Sequence, residues 1–297
     1  MLAAAFRMGS YLHEHRIQLV HAFDTPGNLF AVPVARAFRT PVVLSSQRAF
    51  RTLANRIDRH FLRIIDHMVD AVVVNCRQLE KHLVEDEAVS PGRIRLCYNG
   101  IDTDTFFPAP EPRPELLRDA ALVIGTVCAL RPEKGLDTLA EAFARVYKSN
   151  PGLRLVMVGS GNMLPRLESM RSGLGLDTGW IFVPSTRTVA PWLRGIDIFV
   201  LPSLSEALSN SLMEAMACGC AAIASRVGGN IELVEEGETG LLFEPGDAAS
   251  LARAMETLIA QPHRRRRLAA AAAQSIRTRF SRETAAATMA AIYDSFF

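Results

Sequence analysis

Two carboxylates in the second half of the chain flank a cluster of small polar residues. Glu206 and Glu214 are separated by seven residues, and a short apolar run that suits a buried strand precedes Glu206. The cluster between them consists of Ser209, Asn210 and Ser211, followed by a helix-like stretch that begins at Leu212. Ser209 and Asn210 favour a helix N-cap, so the first amides and the positive dipole end of this helix suit a phosphate. Glu206 then lies on a loop and Glu214 about one turn into the helix, which is the layout of a site for a sugar joined through diphosphate to ribose.

Two cations follow an earlier apolar run, Leu122–Cys128, in the segment Arg131-Pro132-Glu133-Lys134-Gly135. Open α/β sheets bind ligands at the carboxyl ends of their strands, so Arg131 and Lys134 are placed to clamp a diphosphate. Arginine would act through its planar fork and lysine as a point charge. A solvated turn is the alternative interpretation of the two cations.

A glycine turn follows the next apolar run, in the segment Val158-Gly159-Ser160-Gly161. Glycine allows a backbone to approach a ligand closely, so Gly159 and Gly161 are candidate ligand-binding residues. The alternative is that both glycines only form a turn.

Apolar runs bounded by turn residues alternate with longer amphipathic segments along the chain. The runs are 17–22, 41–44, 71–74, 94–97, 122–128, 153–158, 180–183, 196–201, 221–224 and 240–243, with helix-like segments such as 136–147 and 247–259 between them. This alternation predicts an α/β protein with parallel sheets covered by helices on both faces. A proline-rich stretch near 107–118 predicts a linker, so we expect one domain over residues 1–110, a second over 118–281, and a terminal helix over 282–297.

The composition is that of an ordinary globular protein and excludes several classes of function. The 297 residues are 49% hydrophobic and 22% charged with a formal net charge of +2, which gives no concentrated basic stripe for nucleic acid. The five cysteines lack paired zinc spacing and are interpreted as packing residues in a reducing compartment. Since no apolar stretch approaches the ~20 residues of a membrane span, we expect cytoplasmic residence. The run Arg264–Arg267 is interpreted as a solvated helix start, and peripheral contact with an anionic membrane surface at the inner face is the alternative.

A series of motifs across residues 70–250 resembles those of glycosyltransferase family 4, whose members are retaining enzymes of the GT-B fold. The motifs are Asn99-Gly100-Ile101-Asp102, Arg131-Pro132-Glu133-Lys134-Gly135, Val158-Gly159-Ser160-Gly161, the stretch from Leu201 to Gly219 with both carboxylates, Val227-Gly228-Gly229-Asn230-Ile231-Glu232, and Gly240-Leu241-Leu242-Phe243. The resemblance implies two Rossmann-like, doubly wound parallel-sheet domains that face a cleft, with a nucleotide-sugar donor held by the second. It also implies that the terminal helix crosses back to the first domain, with packing on its own domain as the alternative.

The resemblance also implies roles for the candidate residues. Arg131 and Lys134 would hold the diphosphate and stabilise the leaving group, and Glu206 would contact sugar hydroxyls. Residues 210–212 would offer backbone amides to phosphate, and Glu214 would bind the ribose. Family members generally keep the donor's anomeric configuration and need no metal, so we expect neither a metal site nor a cofactor beyond the donor substrate.

The chemistry of glycosyl transfer agrees with these roles. The transition state resembles an oxocarbenium ion while negative charge grows on the departing diphosphate, and fixed cations and amides aimed at that charge stabilise it. Glycoside hydrolases instead place two carboxyl groups about 5–9.5 Å apart on either side of the bond. Basic residues beside the carboxylates therefore favour transfer from an activated donor.

The first domain departs from the family pattern. The resemblance would place a glycine-rich loop after a first strand and a histidine just after the strand at 41–44, whereas the chain begins in a helix and has Ser45-Ser46-Gln47-Arg48 there. We therefore expect an incomplete acceptor-side domain with Arg48 and His21 as its candidate residues; a surface Arg48 and a packed or solvated His21 are the alternatives.

Two functional hypotheses follow. The first is a retaining sugar transferase that acts on a lipid-linked or saccharide acceptor in cell-envelope or polysaccharide assembly. The second is a truncated or degenerate homologue that binds a nucleotide sugar, or a partner transferase, without catalysis.

Overall fold

The computed structural model describes residues 2–297, and the chain divides into two compact units. The first unit contains the residues up to Asn99 together with Ala285–Phe297, and the second contains Gly100–Thr284. The division precedes the proline-rich stretch, which packs within the second unit: Arg113 donates a hydrogen bond to Asp197 at 2.6 Å.

The first unit is built on a parallel sheet whose four strands follow chain order. The strands are β1 (Leu19–Phe23), β2 (Val42–Gln47), β3 (Ala71–Val74) and β4 (Ile94–Leu96), and the helices are α1 (Leu2–Glu14), α2 (Asp24–Ala37), α3 (Arg56–Met68) and α4 (Arg77–Glu85). β2 and β3 are buried along their whole lengths, as strands covered on both faces are. Ile292, from the terminal helix α12 (Arg282–Asp294), packs with the side chains of β2 and β3 in one core cluster.

Two details of this sheet differ from the sequence predictions. β2 does not end at Leu44 but continues to Gln47, because Ser45–Gln47 stay in register with Val72–Val74 of β3. The apolar run at 17–22 forms a strand over Leu19–Phe23, so His21 lies in the middle of β1, paired with Leu44. Arg48 is therefore the first residue after β2.

The second unit contains a parallel sheet of six strands in the order β10-β9-β8-β5-β6-β7. The strands are β5 (Leu122–Val127), β6 (Leu153–Val158), β7 (Trp180–Val183), β8 (Ile198–Leu201), β9 (Ala221–Ser225) and β10 (Gly240–Phe243). The helices are α5 (Leu136–Tyr147), α6 (Leu164–Gly173), α7 (Ala190–Gly195), α8 (Asn210–Ala217), α9 (Asn230–Leu233), α10 (Ala248–Ala260) and α11 (Pro262–Arg279). The predicted helix over 136–147 is confirmed, and that over 247–259 starts one residue later because Asp247 is its N-cap.

The strand order of the second sheet reverses between β5 and β8. The chain builds outward from β5 through β6 to β7, and then returns to place β8, β9 and β10 on the other side. β5 and β8 pair only at Ile124↔Ile198 and Gly125↔Phe199, near the amino end of β8. The loops that leave the carboxyl ends of β5 and β8 therefore flank a topological switch point, the place where open α/β sheets bind their ligands.

The arginine run of the sequence analysis lies within a helix. Arg264–Arg267 lie inside the first two turns of α11, which begins at Pro262.

Within residues 2–297, no helix combines the length and the apolar character needed to cross a bilayer. Cys218 and Cys220, interpreted as packing residues, are both buried, and all five cysteines are free thiols.

Candidate functional site

An ion pair joins the two loops at the switch point of the second sheet. Lys134 Nζ donates to Glu206 Oε2 at 2.6 Å, and the side chains are only 20% and 13% exposed. The Glu206 Oε2 atom also accepts a hydrogen bond from Ser203 Oγ at 3.0 Å. A cation and a carboxylate are thus held together, partly shielded from water, at the carboxyl edge of β5 and β8.

The backbone around Lys134 explains how this loop is held. Residues 132–134 form a single 3-10 turn, and Gly135 ends it with φ +61° before α5 begins. A Cβ atom at Gly135 would collide with the carbonyl oxygen of Pro202, so the loop after β5 can approach the loop after β8 only with glycine here. The Leu204 amide donates to the Glu133 carbonyl at 2.8 Å and joins the two loops directly.

Arg131 lies in the same loop but is arranged differently from Lys134. Its side chain is 64% exposed, and its guanidinium lies 3.8 Å from the Glu133 carboxylate. The structure therefore brings Lys134 and Glu206 into contact and leaves Arg131 as an exposed cation three residues before Lys134. Its proposed role as the second member of a diphosphate clamp stays a prediction.

The start of α8 has the predicted N-cap. Ser209 Oγ accepts a hydrogen bond from the Leu212 amide at 3.3 Å and lies 3.2 Å from Ser211 Oγ, while Asn210 is the first residue of the helix. Because the Leu212 amide is used by the cap, it can serve a phosphate only if Ser209 releases it. The Ser211 amide, in the first turn, has no intrahelical acceptor and keeps the geometry that favours an anion.

Glu214 lies one turn into α8, as predicted, and its surroundings alter its acidity. Desolvation by burial raises the pKa of Glu214 from 4.5 to about 7. Within residues 2–297 its carboxyl group has neither a hydrogen-bond nor an ion-pair partner. A partly buried carboxyl group without a partner, beside a helix start, is free to accept hydrogen bonds from hydroxyl groups of a ligand.

The glycine turn after β6 packs against the loop after β5. A Cβ atom at Gly159 would collide with the Cys128 carbonyl oxygen, and one at Gly161 with that of Leu130. The Leu130 amide donates to the Ser160 carbonyl at 3.0 Å. The two glycines are thus required by contacts between loops, whatever they do toward a ligand.

A cavity of about 260 Å³ opens beside this turn, at the carboxyl ends of β5, β6 and β7. Gly159 lines it together with Cys128 and three hydroxyl-bearing residues, Ser160, Ser185 and Thr186. Burial raises the pKa of the Cys128 thiol to about 11, so the thiol stays protonated near neutral pH. Ser185 and Thr186 were absent from the sequence prediction, because they follow β7 and come near β6 only through strand pairing.

A buried polar chain beneath the ion pair was also missed. Ser225 Oγ donates to the Ser203 carbonyl at 2.6 Å, and the Asn230 side-chain amide donates to the Ser225 carbonyl at 3.1 Å. These three residues join the loops after β8 and β9 and hold Ser203 against Glu206. The only sequence signal for these residues was their position: Ser203 and Asn230 lie within the family motifs, and Ser225 lies just before one of them.

The two acceptor-side candidates lie in the first unit. His21 Nε2 is 2.8 Å from Ser46 Oγ and Nδ1 is 2.9 Å from the Tyr293 hydroxyl. Desolvation, followed by the nearby charge of Arg48, lowers the pKa of His21 to about 4, so its imidazole is neutral near pH 7. Arg48 is exposed and donates to the side-chain oxygen of Asn99 at 2.5 Å. Both ring nitrogens of His21 therefore have partners within the first unit, and the acceptor-side roles of His21 and Arg48 stay predictions.

Over the described range 2–297, histidine, cysteine, aspartate and glutamate side chains form no group of three or more that could hold a metal ion.

Comparisons with known proteins bear on this site. A family model described as "Glycosyl transferases group 1" matches residues 121–261, and one described as "Glycosyltransferase Family 4" matches residues 1–105. The chain belongs to the family 4, or group 1, glycosyltransferases. A relative of this chain, D-inositol 3-phosphate glycosyltransferase of Thermomonospora curvata, is 32% identical over 230 residues, which cover 70% of this chain and 53% of the relative.

A second relative has a different named role. The lipopolysaccharide core biosynthesis glycosyltransferase LpsE of Rhizobium meliloti is 34% identical over 190 residues, which cover 64% of this chain and 54% of LpsE. The chain thus spans about half the length of the curated relatives that it matches.

Solved structures show the fold of this chain. Sucrose-phosphate synthase from Thermosynechococcus elongatus matches with a TM-score of 0.88 at 26% identity, covering 99% of this chain and 77% of that one. HepE of Anabaena, in complex with UDP, matches with a TM-score of 0.89 at 20% identity, covering 98% and 82%. The predicted GT-B fold, with two Rossmann-like parallel-sheet units, is confirmed.

Proposed function

We propose that this chain transfers a sugar from a nucleotide-diphosphate sugar, with the donor bound at the carboxyl edge of the second unit's sheet. The observation that carries the proposal is the Lys134–Glu206 ion pair at the switch point between β5 and β8. A cation that holds a diphosphate and a carboxylate that accepts sugar hydroxyls must be neighbours, because a sugar and its diphosphate are joined by one bond. HepE, which shares the fold, is described in complex with UDP and with UDP-glucose, and this supports a nucleotide-sugar donor.

The residues of the second unit have distinct roles in this proposal. As the bond between the anomeric carbon and the diphosphate breaks, negative charge grows on the diphosphate, where Lys134 and the Ser211 amide stabilise it. Arg131 is the exposed second cation of the clamp. Glu206 accepts hydrogen bonds from the sugar and partly balances the positive charge on its ring, while Glu214 accepts from the ribose hydroxyls. Gly159 and Gly161 shape the adjoining cavity.

The proposal includes the finer features that the family resemblance implies. The product keeps the anomeric configuration of the donor, and the reaction requires neither a metal nor a further cofactor. The acceptor is lipid-linked or a saccharide, in cell-envelope or polysaccharide assembly, which the similarity to LpsE supports. His21 and Arg48 lie on the acceptor side, His21 as a neutral hydrogen-bonding group and Arg48 as a cation. Five free thiols agree with a cytoplasmic location.

A screen of nucleotide sugars tests the proposal. A ligand that binds the folded state raises the unfolding temperature with its concentration, so UDP-, GDP- and ADP-sugars are compared by thermal unfolding of the pure protein. We expect one class to stabilise the wild-type protein and to stabilise Lys134→Ala much less, while the exposed Lys148→Ala control behaves like the wild type. Transfer to lipid-linked and saccharide acceptors is then measured with that donor.

The outcomes separate the two functional hypotheses. Stabilisation with transfer, and retained configuration in the product, supports the transferase. Stabilisation without transfer to any acceptor supports the binding-only homologue. No stabilisation by any of these nucleotide sugars would contradict the transferase and leave only the homologue that binds a partner transferase.

A further inference from the structure

Two arginines occupy equivalent positions in successive helix-to-strand turns of the first unit. Arg16 lies two residues after α1 and three before β1, and Arg39 lies two residues after α2 and three before β2. The first residues of these strands, Leu19 and Val42, are paired in the parallel sheet. Because neighbouring strands lie about 4.8 Å apart, this register sets the two turns side by side at the amino edge of the sheet.

Both arginines have a backbone conformation that favours glycine. The φ angle is +50° at Arg16 and +59° at Arg39. In each turn the amide of the next residue donates to the carbonyl five positions earlier, at 3.0 Å after Arg16 and at 2.9 Å after Arg39, which is the pattern of a Schellman motif. A Cβ atom disfavours the left-handed conformation, so glycine is the usual residue at this position. Folding alone therefore favours glycine over arginine in both turns.

The fold does not use either guanidinium group. Within residues 2–297, the side chains of Arg16 and Arg39 form neither a hydrogen bond nor an ion pair. Arg36, in contrast, donates to Asp70 at 2.7 Å. A cation also interacts favourably with the dipole at a helix C-terminus, but the right-handed last turn offers that interaction without strain, and Arg36 already lies there in α2. Two unpaired cations thus stand side by side in strained turns.

The two arginines line one cavity of about 530 Å³. Its other polar residues are His13, Gln18 and Thr40, and its wall contains no aspartate or glutamate; Glu14 is not one of the lining residues. Every polar side chain of the wall can donate a hydrogen bond, since a neutral imidazole also keeps one N–H group. Thr40 is 5% exposed, and its hydroxyl group has no hydrogen-bond partner in the described part of the chain. The wall is therefore rich in donors and suits an anion.

The remaining wall of the cavity is apolar. It consists of Leu12, Ile17, Phe38 and Pro41. The volume lies within the range of about 300–1,000 Å³ that is typical of small-molecule sites. Arginine binds phosphate oxygens through its planar fork. Donors on part of the wall and apolar side chains on the rest fit a ligand that has both a phosphoryl group and an organic part.

We propose that this cavity binds a small organic phosphate, with Arg16 and Arg39 on its phosphoryl oxygens, the Thr40 hydroxyl group as a further donor, and the organic part against the apolar residues. The cavity lies at the amino edge of the first sheet, whereas Arg48 follows the carboxyl end of β2. Helix α2, which joins the two edges, has 14 residues and is about 21 Å long. The site is thus separate from the acceptor-side candidates, and it does not depend on the donor site proposed for the second unit.

Calorimetry on the full chain tests the proposal in a Lys134→Ala background, which removes the cation proposed to hold a phosphate in the second unit. At constant ionic strength we expect phenyl phosphate to bind more tightly than inorganic phosphate, and phenol not to bind. Arg16→Gly and Arg39→Gly should each weaken the binding of phenyl phosphate about 10- to 100-fold, because each removes a charge-assisted hydrogen bond. The double variant should show no binding.

The unfolding temperature of the same variants separates binding from a structural role. Arg16→Gly and Arg39→Gly should unfold at the temperature of the parent protein or above it, because glycine relieves the left-handed conformation. Thr40→Val should weaken the binding of phenyl phosphate about 2- to 10-fold. It should not lower the unfolding temperature, because the hydroxyl group has no partner in the described fold.

A matched control removes two other positive charges from the same unit. Arg7 lies in α1 and Arg56 in α3; both are exposed, and neither lines the cavity. The variant Arg7→Gln, Arg56→Gln should bind phenyl phosphate like the parent protein. Thermal stabilisation of the wild-type protein by a nucleotide sugar shows separately whether the donor site is present.

Several results would overturn the proposal. One is the absence of any heat of binding with phenyl phosphate, and another is unchanged affinity in the double glycine variant. A third is a loss of affinity in the Arg7→Gln, Arg56→Gln control as large as that in the glycine variants, which would show an unspecific effect of net charge. Displacement of phenyl phosphate by vesicles that contain phosphatidic acid would assign the cavity to a lipid headgroup instead of a small molecule.

Discussion

Lys134 and Glu206, 72 residues apart in sequence, share a hydrogen bond of 2.6 Å at the point where the strand order of the second sheet reverses. In this ion pair each charge compensates the other. A bound diphosphate would give Lys134 a second anion, and a bound sugar would give Glu206 hydroxyl donors, so both partners can take up ligand contacts without being separated.

Replacing Lys134 by alanine should weaken the binding of a nucleoside diphosphate about 10- to 100-fold, since a hydrogen bond to a charged group contributes about 1.5–3 kcal/mol. Isothermal titration calorimetry measures the change. Lys148→Ala, which removes an exposed lysine of the same unit just after α5, is the matched control and should bind like the wild type. Equal affinity in the wild type and Lys134→Ala would remove Lys134 from the site.

Replacing Glu206 by alanine should abolish sugar transfer while the fold is kept. Binding of the nucleoside diphosphate alone should be maintained or become tighter, because the variant frees Lys134 from its carboxylate partner. Transfer assays and calorimetry on one protein sample separate these two effects. Glu238→Ala, at an exposed position of the same unit, controls for the loss of a negative charge. A Glu206→Ala protein with wild-type turnover would contradict the assignment.

Binding of a nucleotide sugar should strengthen with pH in the range where Glu214 ionises. The pKa of Glu214 is raised to about 7, and ribose hydroxyls donate more strongly to the carboxylate than to the neutral acid. If only the ionised form binds, affinity rises about tenfold between about pH 6 and about pH 8. A doubly esterified diphosphate does not titrate in this range, so the slope reports the protein. Glu214→Gln should bind with no such slope, and a slope equal to that of the wild type would exclude Glu214 as its source.

The raised pKa of Glu214 also predicts how the stability of the fold depends on pH. In the unfolded chain, where it is solvated, Glu214 has the ordinary pKa of 4.5. In the folded protein, burial raises this pKa to about 7. The folded state therefore loses stability as pH rises from 4.5 to about 7 and then stays level. Glu214→Gln should unfold at higher urea concentration than the wild type at pH 8 and at the same concentration at pH 4. Equal midpoints at pH 8 would show that burial does not perturb this carboxyl group.

Two substitutions at Ser209 separate helix capping from phosphate binding. Ser209→Ala removes the hydrogen bond to the Leu212 amide and should lower the free energy of unfolding by about 1 kcal/mol. Ser209→Asp restores a cap and should recover that stability, but its charge should repel a diphosphate at the start of α8. Urea unfolding and calorimetry measure the two effects. Nucleotide binding by Ser209→Asp as tight as in the wild type would place the phosphate elsewhere.

Alanine at Gly159 should destabilise the second unit by about 1–3 kcal/mol, because the new Cβ would collide with the Cys128 carbonyl oxygen. Gly173→Ala is the matched control: it lies at the end of α6, where an added Cβ has no atom within 4 Å. Chemical denaturation of both variants measures the difference. A Gly159→Ala variant as stable as the Gly173→Ala control would show that the two loops are not packed as described.

Local sequence signals predicted much of the second unit. The apolar run Leu153–Val158 and the helix Leu136–Tyr147 have the predicted bounds, because periodicity and flanking turn residues act over neighbouring positions. Ser209 could be assigned as the N-cap of α8 for the same reason. The position of the cap then placed Glu214 about one turn into the helix. Each of these predictions needed only residues within a few positions of one another.

The features that the sequence did not predict depend on contacts between distant segments. β2 continues through Ser45–Gln47 although the apolar run has ended, because the polar groups of Ser46 have hydrogen-bond partners. Its hydroxyl group pairs with His21 Nε2, and its carbonyl accepts from the Asn28 side-chain amide. The packing of His21 against Tyr293 joins residues 272 positions apart. Ser203 was not singled out as a partner of Glu206, because only its place beneath the loop, held by Ser225, gives it that role.

The narrow pairing of β5 with β8 has a consequence for how such a protein can diversify. Only two residue pairs join β5 and β8 at the seam between two three-stranded blocks, and beyond them the blocks meet through loop contacts such as the Lys134–Glu206 ion pair. Loops on either side of this seam can change in length or chemistry while the hydrogen-bond ladder within each block stays intact. Ligand preference can therefore change through substitutions in these loops with little effect on the strands of the sheet.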